Sequence, residues 1–191
     1  MGLGEVQAAL ARLYTEPAIR EMLEHDPQAL KHECGLSDED LDHLTNLSAS
    51  ELEFFATSLR SKRRGEVAKL LPGTVAALGG QFKILFNRYS GRYLPSGPDK
   101  HLEDALHFAE YLLDVDVPGK PWVESIVSYE SSWLEIINHR RRFIVRRLHY
   151  NVDINVEDAA HPDQANLMAI WTDHWLLGRH HWLVKLPGRH D

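Results

Sequence analysis

The sequence predicts a mainly α-helical α+β fold, in which an N-terminal helical bundle is followed by a helix and a small antiparallel β-sheet. Residues that start and stop helices recur at short intervals through the first half of the 191-residue chain. After about residue 140, the apolar residues change from helical spacing to alternation, which is typical of strands. A segment rich in proline and glycine at 117–121 separates these parts. We therefore predict a helical domain at 1–116 and an α+β domain at 117–191.

Capping residues predict the first five helix boundaries within about 50 residues of chain. Two prolines stand where a first helical turn tolerates them, and a glycine stands where a C-cap favours positive φ. Two serines are each followed, three residues later, by an acidic residue, which is the form of a capping box. These signals are carried by Pro17, Asp26 with Pro27, Gly35, Ser37 with Asp40, and Ser48 with Glu51.

Amphipathic stripes predict the later helices. One stripe begins after Ser48 and ends or restarts at Pro72, and a second runs over 75–89. A loop rich in turn residues follows at 90–99, and Asp99 is placed to cap the next helix. Residues 122–139 again have helical spacing, with Trp122 and Trp133 among the residues of the apolar side.

Three strand-like runs follow that helix. In the first run, Phe143 and Val145 alternate with Ile144, and the alternation shifts by one residue before Leu148, which predicts a bulge near Arg146 and Arg147. This run extends through Tyr150 to Ile154. The other two runs cover 167–172 and 180–186, with Gly178 at the turn between them. The three runs together predict a small antiparallel sheet.

The net charge of −7 divides into blocks of alternating sign along the chain. Residues 59–100 hold nine basic against two acidic residues, and residues 136–152 hold five basic and no acidic residues. Three interpretations of these blocks stay open: pairing with the acidic blocks beside them, a nucleic-acid contact, or a docking surface for an acidic protein or peptide.

Composition and motifs exclude several classes of protein. No apolar run approaches the roughly 20 residues of a membrane span, and the N-terminus has no secretory signal. A single cysteine, Cys34, excludes an internal disulfide, so we expect a cytoplasmic protein. The 12 histidines do not have metal-ligand spacing on any predicted element. No motif of a catalytic nucleophile or phosphate-binding loop is present, and we expect neither a metal nor a catalytic site in this chain.

All five tryptophans lie after residue 120. They are the filling expected of a small core under a thin sheet, yet tryptophan and arginine are also the residues that dominate binding interfaces. A short sheet with an exposed edge can also accept an extended peptide as an additional strand.

Short motifs of another kind occur in three parts of the chain. Residues 14–20 are Tyr-Thr-Glu-Pro-Ala-Ile-Arg, and residues 25–30 are His-Asp-Pro-Gln-Ala-Leu. The middle part contributes 58–63, 70–72, 78–79 and 82–89. The last part contributes Arg142-Phe143, Arg146-Arg147 and Tyr150, followed by 167–171 and 181–187.

In these motifs the chain resembles the partner proteins of multinuclear non-haem iron-dependent oxidases, the TglI-like accessory proteins of ribosomal peptide natural product biosynthesis. The resemblance implies a non-catalytic subunit that forms a heterodimer with the oxidase and recruits its ribosomally made precursor peptide, as a RiPP recognition element does. It implies no cofactor in this chain and iron in the partner enzyme. The residues we predict to bind the peptide or partner are Arg140, Arg141, Arg142, Arg146, Arg147, Tyr150, Trp171 and Trp182.

An alternative function is a DNA-binding regulatory protein that uses the basic blocks at 60–69 and 140–147. The overall negative charge and the lack of a helix-turn-helix pattern favour the accessory subunit over this alternative. A histidine-ligated metalloenzyme is a third hypothesis, which the histidine spacing disfavours.

Overall fold

The structure is a computed structural model that describes residues 3–152, 158–174 and 178–187. Contacts between residues divide the chain into two compact units. The first unit comprises Met1–Arg63 and Ser90–Leu94, and the second comprises Arg64–Tyr89 and Pro95–Asp191. The boundaries of these units differ from the boundary between the predicted domains, 1–116 and 117–191. The two domains therefore stay a prediction.

The first unit is helical. Its helices are joined by short connections, and their bounds are α1 Leu3–Thr15, α2 Pro17–His25, α3 Pro27–Cys34, α4 Asp38–Thr45 and the first part of α5 Ala49–Leu70. Their buried faces share one core, which contains Leu13, Leu30, Leu44 and Leu52. Burial of such leucine side chains provides the main stabilisation of short helices of this kind.

The capping residues predicted for the first five helix boundaries are confirmed. Pro17 and Pro27 begin α2 and α3, and the side chain of Asp26 accepts a hydrogen bond from the Ala29 N–H at 3.0 Å. Gly35 ends α3 with a φ of 65°. Ser37 and Asp40 form a reciprocal capping box at α4, and Ser48 and Glu51 form the corresponding contacts at the start of α5. Asp99 is the N-cap of a later helix but makes no side-chain cap.

The second unit holds the remaining helices and the sheet. After the end of α5, its helices are α6 Pro72–Leu78, α7 Gln81–Ser90, α8 Lys100–Asp114 and α9 Val123–Ile137. Phe82, Phe86 and Phe108 pack their rings together, and Tyr89 donates a hydrogen bond to the fully buried Asp104 carboxylate at 2.9 Å. None of the helices in the described residues has the length and hydropathy needed to cross a membrane.

The short helix α6 is held at both ends by opposite charges. The Glu130 carboxylate of α9 accepts the backbone N–H groups of Gly73 and Thr74, each at 2.7 Å. At the other end, the Lys120 ammonium donates to the carbonyl of Ala77 at 2.6 Å and to that of Leu78 at 3.2 Å. Both charges complement the helix dipole and satisfy backbone groups that the helix itself leaves unpaired.

The strands β1 Phe143–Tyr150, β2 Gln164–His174 and β3 Gly178–Lys185 form an antiparallel sheet in the order β1-β2-β3. A turn of 3₁₀ helix at Asp158–Ala160 precedes β2. The predicted fold class, mainly α with a small antiparallel sheet at the C-terminal end, is confirmed. Ile154 and Trp175, which the sequence analysis assigned to this region, lie outside the described residues.

Two details of β1 differ from the prediction. The register shift lies between Leu148 and Tyr150, not near Arg146 and Arg147. The side chains of Ile144 and Leu148 are buried, whereas Phe143 and Val145 are exposed. The first residues of β1 are all apolar, so alternation alone does not tell which of them face the core.

Candidate partner-binding surface

The two faces of the sheet have different environments. Helix α9 packs on β1 and β2 and covers one face, which we call the inner face. The inner face of β2 carries Leu167, Ala169 and Trp171, all buried. Since successive side chains of a strand point to opposite faces, Met168 and Ile170 lie on the opposite, outer face.

The outer face is apolar at its centre. The strand register aligns Val145, Ile170 and Trp182 in one row, and Arg147, Met168 and Val184 in the next. Trp182 is 49% exposed and Phe143, at the end of the face, is 62% exposed. Within the described residues, the outer face consists of Phe143, Val145, Arg147, His149, Asn166, Met168, Ile170, Thr172, His174, His180, Trp182 and Val184.

Trp182 was predicted from the sequence as a binding residue, whereas its apolar neighbours on the outer face were not. A signal for them exists in β2, where residues 167–171 are apolar at every position. An uninterrupted apolar strand is typical of a sheet covered on both faces. Among the described residues, only the inner face is covered.

The inner face accounts for two of the four tryptophans that the structure describes, Trp133 and Trp171. Trp171 is fully buried, with its ring centroid 5.5 Å from that of Tyr129 on α9. His181 of β3 lies between Tyr129, Trp133 and Trp171, and its Nε2 is 3.3 Å from the Tyr129 hydroxyl. Trp171 can therefore affect a bound partner only through the residues that it supports.

Tyr150 also lies away from the outer face. It pairs with Gln164 at the end of β1, and its ring is 6.3 Å from that of Trp122. Trp122 in turn contacts the His161 ring at 5.5 Å. The structure thus places Tyr150 in a separate aromatic group at one end of the sheet.

The five predicted arginines fall into three groups. Arg140 forms an ion pair with Glu103 of α8, and Arg141 forms one with Glu135 of α9 at 2.6 Å. The Arg147 Nε donates to the side chain of Asn166 on the outer face at 3.2 Å. Arg142 and Arg146 are exposed and make no side-chain hydrogen bond or ion pair to another described residue.

These contacts show that neighbouring acidic residues account for part of the second basic block. The carboxylates of Glu103 and Glu135 already neutralise Arg140 and Arg141, so a ligand would have to displace them. A ligand could contact Arg142 and Arg146 without displacing an ion pair within the described residues. They are therefore the two predicted arginines that are best able to contact a negatively charged partner.

A polar network closes the end of the sheet near Arg142. The His139 Nδ1 is 2.7 Å from the Asp173 carboxylate, and the Arg179 guanidinium donates to His139 Nε2 at 3.2 Å. With Asp173 accepting from Nδ1–H, Nε2 is the acceptor for Arg179, which is the arrangement of a neutral imidazole. His139 adopts a φ of 56°, in the left-handed region. The network thus joins the end of α9 to both β2 and β3.

The first basic block, at 60–69 on α5, also has internal partners. Arg63 donates to the backbone carbonyl of Tyr93 at 3.0 Å, and Lys69 pairs with Glu66 at 2.9 Å. Lys62 is exposed on the same helix. Part of the positive charge in this block therefore serves the fold.

Surface grooves occur away from the sheet. In the first unit, a groove of about 410 Å³ is lined by residues that include Arg20, Leu47 and Glu53. In the second unit, one of about 300 Å³ is lined by residues that include Asp114 and Glu124. Within the part of the chain that the structure describes, no three His, Cys, Asp or Glu side chains are grouped to hold a metal ion.

The comparison with protein families adds a match in the middle of the chain. The model of the family described as "SCO6045-like, C-terminal domain" matches residues 46–114, from just before α5 to the end of α8. This similarity covers about a third of the chain and does not extend to the sheet. No curated protein and no solved structure matches the chain.

Proposed function

We propose that this chain is a non-catalytic partner subunit that binds an iron-dependent oxidase and recruits the ribosomally made precursor peptide of that enzyme. The observation that supports it best is the combination of Arg142 and Arg146 with an edge strand. β1 is at the edge of the described sheet, and both arginines are exposed at or beside it. An edge strand offers unpaired N–H and C=O groups to an extended peptide.

In this proposal, an acidic extended segment of the precursor pairs with the edge of β1. Main-chain hydrogen bonds would hold the segment in register, and carboxylates of the segment would contact Arg142 and Arg146. The β1 edge is not open along its whole length, because the His149 N–H donates to the Ser125 hydroxyl of α9 at 3.0 Å. The available edge is therefore the part before His149, where the two arginines lie.

The first test is copurification of the full chain with a coexpressed iron-dependent oxidase, followed by binding of the precursor peptide to the complex. We expect a heterodimer in which the iron belongs to the oxidase. Absence of both complex formation and peptide binding contradicts the proposal.

The second test locates the peptide. The double variant Arg142→Glu with Arg146→Glu is expected to weaken peptide binding at least about tenfold, since two charge-assisted contacts become repulsive. Lys185→Glu, which reverses one positive charge on the opposite edge strand, is the control, and it is compared with Arg142→Glu and Arg146→Glu singly. A peptide bound at the β3 edge would reverse this order and contradict the assignment to β1.

A third test examines the main-chain pairing. Precursor peptides that carry N-methyl groups on alternate amides lose the donors of one strand edge while they keep their side chains. We expect one of the two alternating methylation patterns to abolish binding and the other to leave it nearly unchanged. Equal effects of both patterns contradict strand addition.

The DNA-binding alternative predicts a different outcome. A mobility shift at physiological salt that weakens steeply with added salt, together with no binding of oxidase or peptide, would replace the accessory-subunit proposal. The ion pairs of Arg140 and Arg141 and the internal contacts of Arg63 and Lys69 do not favour that outcome.

A further inference from the structure

We propose that the outer face of the sheet is the docking site for an amphipathic helix of a partner protein, with an apolar stripe against the sheet and acidic side chains on its flanks. The inference rests on the proposed function in one respect, because the proposed function makes the oxidase the partner that supplies the helix. It concerns a different surface from the edge of β1, where we place the precursor peptide.

The composition of β2 favours a second layer on the outer face. Its outer residues Met168 and Ile170 are as apolar as its inner residues, although the described chain covers only the inner face. A central strand of this composition favours a sheet with a layer on each side. Phe143, Val145, Trp182 and Val184 extend the apolar surface onto both edge strands, and each is more than 40% exposed.

The outer face has the dimensions of a single helix. Three strands span about 10 Å between the axes of the outer strands, which is close to the diameter of one helix. A strand of 8 residues is about 26 Å long, the length of about 17 helical residues. The inner face is covered by α9, a single helix of 15 residues. The outer face therefore has room for one helix of similar length.

The charge of the outer face favours an acidic partner. Among the described residues of the outer face, none is acidic and Arg147 is cationic. Asp173, the acidic residue of β2, belongs to the inner register and pairs with His139. A helix with acidic flanks thus complements this surface, whereas a basic helix or a second copy of this face would bring like charges together.

The test uses two synthetic helical peptides of about 17 residues that share one leucine stripe and differ only in flanking residues, glutamate in one and lysine in the other. Titration of the full chain, followed by tryptophan fluorescence and calorimetry, is expected to show at least about tenfold tighter binding of the glutamate peptide. Burial of Trp182 should shift the emission to shorter wavelength, and Trp182→Phe should remove most of that shift.

Variants then locate the contact. Val145→Glu and Val184→Glu are expected to weaken binding of the glutamate peptide at least about tenfold each. Phe54→Glu places the same charge at another exposed apolar residue, on α5, and serves as the matched control. Arg147→Glu is expected to reverse the preference for the two peptides, whereas Lys185→Glu, at an exposed residue of the inner register, should not. Circular dichroism establishes that each variant is folded.

The outcomes separate this inference from the proposed function. Equal binding of both peptides, or binding that Val145→Glu and Val184→Glu do not change, overturns the helix site. A homodimer that Val145→Glu dissociates also overturns it, because a second copy would then occupy the face. If the oxidase copurifies equally with wild type and Val145→Glu, the proposed function stands and the assignment of its docking surface fails. If the glutamate peptide binds as expected but no oxidase copurifies, the site stands and the proposed function fails.

Discussion

The Glu130 carboxylate accepts the backbone N–H of Gly73 at 2.7 Å, and a Cβ atom at Gly73 would lie only 3.0 Å from the same Glu130 oxygen. Glycine at this position therefore allows the carboxylate to approach the first turn of α6. The Ile126 side chain, 3.3 Å from that Cβ position, closes the same space from α9.

Gly73→Ala is expected to destabilise the protein by about 1–3 kcal/mol, because the added methyl group overpacks the half-buried contact with Glu130. The higher helix propensity of alanine offsets at most about 1 kcal/mol of this loss. Urea unfolding measures the difference. Gly65→Ala is the matched control, since beyond its chain neighbours and the backbone of α5 itself no atom lies within 4 Å of the Gly65 Cβ position. That variant should gain roughly 0.5–1 kcal/mol. Equal effects of the two substitutions would contradict the proposed role of Gly73.

Burial raises the pKa of Glu130, and the hydrogen bonds from Thr74 and Gly73 offset part of the increase. The folded protein then binds more protons than the unfolded chain between the ordinary value of about 4.5 and the raised value. The contribution of Glu130 to stability is therefore complete below pH 4.5 and decreases as the pH rises through the raised pKa. We expect the free energy of unfolding of wild type, minus that of Glu130→Gln, to decrease in the same window. A difference that increases with pH would show a lowered pKa instead.

The capping box at α4 should give the opposite pH dependence. Hydrogen bonds from the Ser37 hydroxyl and N–H lower the pKa of Asp40. A lowered pKa stabilises the fold above the ordinary value of 3.8, and this stabilisation is lost as the pH falls through the folded value. Ser37→Ala should lower Tm at pH 7 by roughly 2–4 °C, and the gap to wild type should narrow on acidification. Ser58→Ala, at an exposed position within α5, is expected to change Tm little at either pH.

The other end of α6 provides a further test. Lys120→Met removes the ammonium that donates to the carbonyls of Ala77 and Leu78, while it keeps most of the apolar stem. We expect a loss of about 1 kcal/mol in the free energy of unfolding, measured in urea. Lys83→Met, at an exposed position of α7, should stay within about 0.5 kcal/mol of wild type. A similar loss in both variants would mean that Lys120 contributes only its positive charge and not its hydrogen bonds to the two carbonyls.

Helix boundaries could be predicted from sequence because their signals are local. Pro27, Gly35 and the pair Ser37 with Asp40 act within three or four residues, and the structure confirms each. The inner face of β1 could not be predicted in the same way, because Phe143, Ile144 and Val145 are all apolar. Which of them is buried depends on α9 and on the pairing with β2.

Which of the arginines form ion pairs also depends on residues that are distant in sequence. Arg140 pairs with Glu103, which is 37 residues away in sequence, so the charge pattern alone does not distinguish it from Arg142. The outer face was missed for another reason. Its residues are contributed by three strands, and only their register brings Val145, Ile170 and Trp182 into one row. The apolar run at 167–171 was nevertheless a usable signal of it.

The exposed arginines of β1 have a consequence for solubility. An apolar sheet face that ends in edge strands is a template for aggregation, and charged side chains on an edge oppose the pairing of identical strands. Arg146 and Arg147 lie in β1, and Arg142 directly precedes it, so two copies that approach through this edge would repel each other. The arginines at and beside the β1 edge, two of which we expect to attract an acidic peptide, thus also oppose pairing between identical chains.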